Sequence, residues 1–123
     1  MSWEFDTDRP IYKQLQERLL LMILSGKYGA GAQLPTVREL AEEAAVNPNT
    51  LQKALAELER EGLVYAQRTS GRYVTEDQAL IRKARTSLAR EQTELFLTKM
   101  EAIGYSRRDT VVLIQTAKET SKP

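Results

Sequence analysis

The sequence predicts a mostly α-helical fold that contains one small β-hairpin and ends in a two-helix tail. The first observation is a pair of short helical patterns within residues 36–62, separated by a few residues. The second is a pair of extended runs around a turn, within residues 63–75. The third is the helical pattern that returns at residue 78 and continues toward the end of the chain. We therefore expect a first domain over residues 1–77 and a tail over residues 78–123.

Composition excludes several kinds of site. The 123 residues include no Cys and no His, so disulfides, thiolate metal sites and the commonest metal ligand and general base are missing. Consecutive glutamates in the sets 42–43 and 57, 59 and 61 are one or two positions apart, where helical side chains do not face each other, so we expect a solvated acidic face. The sequence predicts no catalytic residues, no metal site and no cofactor, and it argues against an enzyme.

Charge and hydropathy limit where the protein is located and which partners it can bind. The net charge is only +1, with 9 basic and 12 acidic side chains in residues 1–77 against 9 and 5 in residues 78–123. Binding to DNA must therefore depend on the local placement of basic groups. The longest apolar run, residues 19–24, is too short to span a bilayer, and the amino terminus lacks a signal-peptide pattern. These features predict a cytoplasmic protein that does not enter a membrane.

The amino-terminal segment and the first helix are predicted from two different periods. Trp3 and Phe5 alternate with polar residues, which predicts an extended segment whose two aromatic rings reach the core. Thr7 or Asp8 is expected to cap the helix, and Pro10 suits its first turn. The apolar stripe that would face the core consists of Ile11, Leu15, Leu19, Met22 and Ile23.

The next two helices are predicted from the signals at their ends. After a loop over residues 27–33, Thr36 and Glu39 form a capping box, in which each side chain bonds the other residue's backbone N–H. The following helix begins after Asn47, which can cap it, and ends before Gly62, which supplies a left-handed residue. Two short helices joined by a tight turn are typical of a helix-turn-helix.

The later of these two helices has faces of different chemistry. Leu51, Leu55 and Leu58 recur at three- and four-residue spacing and form the stripe that would be buried. The opposite face opens with hydrogen-bonding side chains, namely Asn49, Thr50, Gln52 and Lys53. An apolar back and a front of amides and hydroxyls suit insertion into the major groove of DNA. An ordinary surface helix with a polar face is the alternative.

A β-hairpin is predicted directly after this helix. Residues 63–68 and 72–75 are the two strand candidates, and residues 69–71 form the turn. A hairpin in this position is the wing of a winged helix-turn-helix domain. Arg68 and Arg72 flank the turn, so we expect two guanidinium groups at the wing tip, beside the recognition helix.

The tail is predicted to be two helices that cannot bury a core of their own. The first covers residues 78–103, and Ser106 caps the second, with Asp109 at its third position. About 45 residues in two helices leave apolar surface that needs a partner, most economically a second copy of the chain. The residues expected at this dimer interface are Leu88, Leu95, Met100, Ile103, Val111 and Ile114.

Residues 34–74, LPTVRELAEEAAVNPNTLQKALAELEREGLVYAQRTSGRYV, resemble the DNA-binding domain of the GntR family of bacterial transcription regulators. The LP-[ST]-x-R-x-L-A stretch, the VNPNT turn, the AL-x-x-L-x-x-x-G-L helix end and the glycine hairpin fall in register. Residues 10–15, PIYKQL, resemble the family's first helix, and the helix start and short tail resemble its YtrA-like branch. Residues 69–73 lack the two glycines and the Phe common in the family, and Pro48 replaces an arginine found in many relatives outside this branch.

The resemblance implies a double-stranded DNA partner and a contact role for residues of three elements. Thr36 and Arg38, at the start of the second helix, would touch phosphate, since helix N-termini and arginine favour it. The residues that would face the groove are Asn47, Asn49, Thr50, Gln52 and Lys53, and those that would hold the wing to the backbone or the minor groove are Arg68, Gly71 and Arg72.

We expect a sequence-specific transcription regulator, a repressor, that binds a pseudo-palindromic operator as a homodimer. The YtrA-like branch implies control of a transporter operon. The alternative function is a winged-helix module that docks proteins and binds no specific DNA. Any small-molecule effector is expected to act at the dimer interface of the tail or near Tyr65 and Tyr73. Regulation without any effector is equally compatible with the sequence.

Overall fold

The computed structural model describes residues 3–117, which form five helices and one two-stranded hairpin. In chain order these are α1 (Ile11–Leu24), α2 (Val37–Ala44), α3 (Pro48–Arg60), β1 (Val64–Gln67), β2 (Gly71–Val74), α4 (Gln78–Ala102) and α5 (Arg107–Thr116). The predicted fold class is confirmed. The chain divides into two compact units, residues 1–84 and 85–123, and the division falls inside α4. The division into a first domain over residues 1–77 and a tail over residues 78–123 stays a prediction.

The core of the first unit lies where α1 packs on α3, with α2 and β1 also against α3. The predicted stripe of α3 is buried, since Leu51, Leu55 and Leu58 are at most 1% exposed. From α1, Leu15 and Leu19 join them. The other members of this core are Trp3, Met22, Ile23, Leu34, Leu40, Ala41, Ala44, Ala54, Leu63, Val64, Val74 and Ile81.

The start of α1 differs from the prediction. Pro10 occupies the capping position, and no side chain caps the helix there, so the expectation that Thr7 or Asp8 does so is wrong. The reason is that the helix begins directly at Ile11, so its capping position is filled by a residue without a side-chain oxygen. Ile11 itself is 36% exposed, although it was predicted in the buried stripe.

A buried glutamine ties the amino-terminal segment to α1 instead. The Oε1 of Gln14 accepts the backbone N–H of Asp6 at 2.7 Å. Its Nε2 donates to the carbonyl oxygens of Asp6 and Arg9, both at 3.0 Å. Because these bonds satisfy its amide, Gln14 can be almost completely buried on an otherwise apolar face. The segment that it holds brings Trp3 into the core, as predicted.

The ends of α2 and α3 confirm the predicted caps. The Oγ1 of Thr36 accepts the N–H of Glu39 at 3.0 Å, and Oε1 of Glu39 accepts the N–H of Thr36 at 2.9 Å. The Oδ1 of Asn47 accepts the N–H of Asn49 at 2.7 Å. Gly62 follows α3 with a φ of 82°, the left-handed conformation expected of it. These bonds fix where the two helices of the helix-turn-helix begin and where α3 stops.

The wing has a third extended neighbour that the sequence did not reveal. β1 and β2 pair antiparallel along their whole length, as predicted. The predicted loop over residues 27–33 is irregular only in part, because its end runs beside β2. The N–H of Val74 donates to the carbonyl oxygen of Ala32, and the N–H of Leu34 donates to that of Arg72, both at 2.9 Å. Backbone hydrogen bonds therefore fix the wing to the segment that leads into α2.

The second unit, in the part that the structure describes, holds the rest of α4 together with α5. Ser106 caps α5 as predicted, since its Oγ accepts the N–H of Asp109 at 3.0 Å. The buried residues of this second unit, between positions 85 and 117, are Leu97 and Thr110. Eight large apolar residues are exposed instead, namely Leu95, Phe96, Ile103, Tyr105, Val111, Val112, Leu113 and Ile114. None of the helices within residues 3–117 combines the length and the apolar character needed to cross a membrane.

Replacing Leu58 by Ala tests whether α3 is held by its buried stripe. The removal of methyl groups and the cavity they leave should lower the free energy of unfolding by about 2–5 kcal/mol. The matched control is Leu21→Ala in α1, because Leu21 is 51% exposed and the change should stay within about 0.5 kcal/mol. Urea unfolding followed by circular dichroism measures both. Equal effects of the two substitutions would contradict the described packing.

Candidate nucleic-acid interface

The first turns of α3 present polar side chains on the side opposite the core. Asn49, Gln52 and Lys53 are exposed, and Thr50 is half-buried. The leucine stripe on the other side holds the helix in this rotation. Side-chain amides such as those of Asn49 and Gln52 can pair with the edge of an adenine base in the major groove. The predicted groove-facing residues therefore lie together on one accessible surface.

Two of the residues predicted to touch DNA also cap helices. Thr36 and Asn47 use their side-chain oxygens to accept backbone N–H groups at the starts of α2 and α3. Each side chain still has hydrogen-bond donors, the hydroxyl proton of Thr36 and the amide N–H groups of Asn47. Phosphate oxygens accept such donors. The capping role thus orders both side chains without removing the groups that a DNA backbone would bind.

Lys53 is placed by an aromatic ring of α1. Its Nζ lies 3.9 Å from the centroid of the Tyr12 ring, well within the range of a cation–π interaction. The Nζ of Lys13 is 5.8 Å from the same centroid. Sequence reasoning included Tyr12 only in a family motif and gave it no role. Tyr12 and Lys53 are too far apart in the chain for any spacing rule to pair them. The sequence signal that was available is the adjacent Tyr12-Lys13 pair in the first turn of α1, which places an aromatic ring beside a basic group.

The two arginines of the wing have different surroundings. Arg68 is exposed near the tip and forms no ion pair with any of residues 3–117. Arg72, by contrast, donates from its Nε to Oε2 of Glu59 on α3. The side chains of Arg72 and Glu59 are 21% and 31% exposed. Glu59 was predicted to belong to a solvated acidic face, and that prediction is wrong because its carboxylate is paired with Arg72. The recognition helix and the wing are joined through this pair.

The tip of the wing depends on Gly71, which was predicted in the turn and is the first residue of β2. Its φ is 116°, a conformation that side-chain-bearing residues rarely adopt, and a Cβ there would approach Nε2 of Gln33 to 3.2 Å. That same amide nitrogen donates to the carbonyl oxygen of Ser70. The hydroxyl of Tyr73 donates to Oγ of Ser70 at 3.0 Å, and the Tyr73 ring stacks on Tyr65 with centroids 5.7 Å apart. Gly71 therefore shapes the tip.

Residues predicted from distant parts of the sequence meet beside the wing. Thr36 and Arg72 both line one small concavity of about 150 Å³, together with Pro35 and Gly71. It is smaller than the pockets of about 300–1,000 Å³ that hold drug-sized ligands. Arg38, the second residue of α2, is exposed and has no ion-pair partner among residues 3–117. The start of α2 and the wing therefore line one shared surface depression.

The predicted dimer-interface residues all belong to the second unit. Leu88 and Met100 are half-buried in it, whereas the exposed members are Leu95, Ile103, Val111 and Ile114. Five of these six residues lie on α4 and α5, and Ile103 directly follows α4, so all six are away in sequence from every residue predicted to contact DNA. Their role at an interface stays a prediction.

Comparison with known proteins gives this geometry a family. Residues 11–74, from α1 to β2, match the family described as bacterial regulatory proteins, gntR family. The chain is 38% identical over 96 residues to the HTH-type transcriptional repressor YtrA of Bacillus subtilis, covering 77% of this chain and 74% of YtrA. It is also similar to a solved GntR family transcriptional regulator from Listeria monocytogenes, at 37% identity and a TM-score of 0.85, covering 93% of this chain and 100% of that one.

Fold and interface together define a winged helix-turn-helix DNA-binding protein. The chain belongs to the gntR family of bacterial regulatory proteins and is a DNA-binding transcription regulator. A solved complex of the AraR DNA-binding domain with the operator ORX1 has the same fold, at 28% identity and a TM-score of 0.56, covering 61% of this chain and 99% of that one. The resemblance drawn from the sequence motifs is confirmed.

Replacing Gly71 by Ala should destabilise the wing. A residue forced into this left-handed conformation costs about 1–3 kcal/mol, and the new methyl group must displace Gln33. Gly29→Ala is the control, because that position has an ordinary φ and no atom within 4 Å of a built Cβ, so stability should hold or rise by about 0.4–1 kcal/mol. Thermal unfolding compares the two variants. A Gly71→Ala variant as stable as the control would show that the tip does not need this glycine.

Proposed function

We propose that the protein is a homodimeric repressor that binds a pseudo-palindromic operator, with one α3 from each subunit in successive major grooves. The observation that carries the proposal is the exposed polar front of α3, held in place by its buried stripe. The half-sites would then be separated by about 34–36 Å, one turn of DNA, or a multiple of it. The similarity to YtrA, named a transcriptional repressor, supports the direction of regulation. The resemblance to its branch supports a transporter operon as the regulated unit.

Two groups of side chains divide the work of binding in this proposal. Asn49 and Gln52 read base edges, since an amide can both donate to and accept from one adenine. Arg38 and Arg68, exposed and without ion-pair partners in residues 3–117, bind phosphate. The other proposed contacts come from Thr36, Asn47, Thr50, Lys53, Gly71 and Arg72. Base contacts give specificity, whereas phosphate contacts give affinity for any duplex.

Exposed apolar surface supports the second unit as the dimerisation element. Among residues 85–117, the exposed large apolar side chains of this unit outnumber its buried residues. A second copy of the chain would cover such a surface, because in a two-fold dimer the same patch of each subunit packs against that of the other. Dimerisation would also link two recognition helices, and the second half-site would then be bound at a high effective concentration. Operator affinity should therefore depend on residues that never touch DNA.

Substitutions in the two groups should affect specificity differently. An operator duplex is first obtained by selecting bound fragments from the genomic DNA of the source organism. Gln52→Ala should cost about 1–3 kcal/mol on this duplex and relax the preference at one base pair. Arg38→Ala should weaken selected and random duplexes alike and flatten the salt dependence by roughly one unit for each phosphate that is no longer neutralised. Fluorescence anisotropy at several salt concentrations measures both variants.

The same titrations separate the proposal from its alternative. A wild-type protein that binds the selected and the random duplex equally would favour a protein-docking module over an operator-binding regulator. If Gln52→Ala and Arg38→Ala each lowered affinity for both duplexes by one common factor, the assignment of base readout to α3 would be wrong. Asn49→Ala repeats the base-readout test at a neighbouring position, so the outcome does not depend on one substitution that happens to leave DNA binding unchanged.

Ile103→Glu should break the dimer. Ile103 is 69% exposed in the single chain, so a charge there does not disturb the fold but would be costly inside an apolar interface. Analytical ultracentrifugation should show a dimer for the wild type and a monomer for the variant, which also binds the selected duplex much more weakly because avidity is lost. Leu21→Glu, at an exposed leucine of α1, is the control and should remain dimeric. A monomeric wild type at tens of micromolar, an order-of-magnitude estimate for a usual oligomer affinity, would sink the proposal.

A further inference from the structure

One ion pair joins the wing to the recognition helix. Arg72 on β2 donates from Nε to Oε2 of Glu59, in the last turn of α3. The other ion pair of α3, between Arg60 and Glu57, lies within the helix and is more exposed on its arginine side. Because the Arg72 and Glu59 side chains are mostly shielded from water, their pair is screened less than an ordinary surface pair.

The pair leaves most of the Arg72 guanidinium available. An arginine has five N–H donors in a rigid fork, and the bond to Glu59 uses the single donor on Nε. The donors on Nη1 and Nη2 are left for a second acceptor. Arg72 also lines the concavity that contains Thr36, a residue at the start of α2 where a phosphate is favoured. One guanidinium can therefore hold Glu59 and meet a DNA phosphate at the same time.

We propose that Glu59 is a positioning residue for DNA binding, which holds the Arg72 guanidinium, and with it the wing, in the orientation that meets phosphate. This inference rests on the proposed binding of duplex DNA. A guanidinium already fixed by a carboxylate loses less freedom when it binds its second partner. Glu59 touches no DNA in this arrangement and acts through Arg72. An acidic residue of the recognition helix thus supports the binding of an anion.

The sign of the effect makes the inference testable. A carboxylate near a DNA surface repels phosphate, so its removal ordinarily strengthens binding to every duplex. A positioning role predicts the opposite result for Glu59. Loss of affinity when a negative charge is removed is therefore a result that simple charge repulsion cannot produce.

The experiment measures binding of the full-length protein to two DNA probes, the selected duplex and a random-sequence duplex of equal length. Glu59→Gln should weaken binding to both by about two- to fivefold, the range that a partly exposed ion pair supports. It should also flatten the salt dependence of binding by up to about one unit, because the interaction of Arg72 with phosphate is weakened. Glu57→Gln is the matched control: it removes the same charge and an ion pair from the same helix, and it should bind both duplexes at least as well as the wild type.

Two further variants tie the effect to Arg72. On an Arg72→Ala background, Glu59→Gln should cause no additional loss, because the group that Glu59 positions is gone. Glu59→Asp keeps the charge but shortens the side chain by one methylene group, so it should weaken binding in the same direction as Glu59→Gln. It also serves as the test if Glu59→Gln does not fold. Thermal unfolding of each variant verifies that the folded protein is being compared.

Three results would overturn the inference. The first is a Glu59→Gln variant that binds DNA as tightly as the wild type, or more tightly. The second is a loss of affinity by Glu59→Gln that persists on the Arg72→Ala background, and the third is an equal loss in Glu57→Gln. Each result would exclude positioning through Arg72. Failure of the proposed function looks different, because the wild type itself would then show no preference for the selected duplex. With a specific wild type and an unaffected Glu59→Gln, the regulator proposal stands and only the role of Glu59 falls.

Discussion

Burial of the α3 leucine stripe beneath α1 is the constraint on which the rest of the interface depends. Leu51, Leu55 and Leu58 are almost completely inaccessible, and burial of each stabilises the fold by about 1.5–3 kcal/mol relative to exposure. A helix anchored along one side cannot rotate without exposing that side. The amides at the front of α3 therefore face water as a consequence of packing at the back. The same packing brings Tyr12 of α1 beneath the ammonium group of Lys53, so one contact surface also places a basic side chain.

The wing depends on a second kind of constraint, which is polar. Backbone hydrogen bonds join β2 to Ala32 and Leu34, directly before α2 begins, and the Arg72–Glu59 pair joins β2 to the end of α3. The wing is thus attached both to the segment entering α2 and to α3. Each of these bonds is worth little by itself, but together they leave few independent positions for the wing. This explains why Thr36 and Arg72 share one concavity although they come from separate elements.

Local signals predicted most of the fold, and pairings between distant residues account for what was missed. The Thr36–Glu39 capping box and the long first helix of the tail depend on residues within a few positions of each other, and their positions were predicted. The buried Gln14 was missed because its partners are irregular backbone groups that no periodicity describes. Glu59 was predicted to be solvated because its partner, Arg72, lies across a turn of the chain. Ala45 adopts a φ of 60°, for which the sequence gives no sign.

The charge of residues 1–77 shows how an acidic segment can still offer basic groups to DNA. These residues have 12 acidic and 9 basic side chains, so the segment as a whole would repel a polyanion weakly. The acidic groups are not distributed evenly, however. Glu39 is used in a cap, Glu59 bonds a wing arginine, and Glu57 pairs within α3. Arg38 and Arg68, in contrast, are exposed and without ion-pair partners among residues 3–117. Since salt screens charges beyond about 10 Å, these unpaired cations would matter more to a phosphate bound beside them than the net charge does.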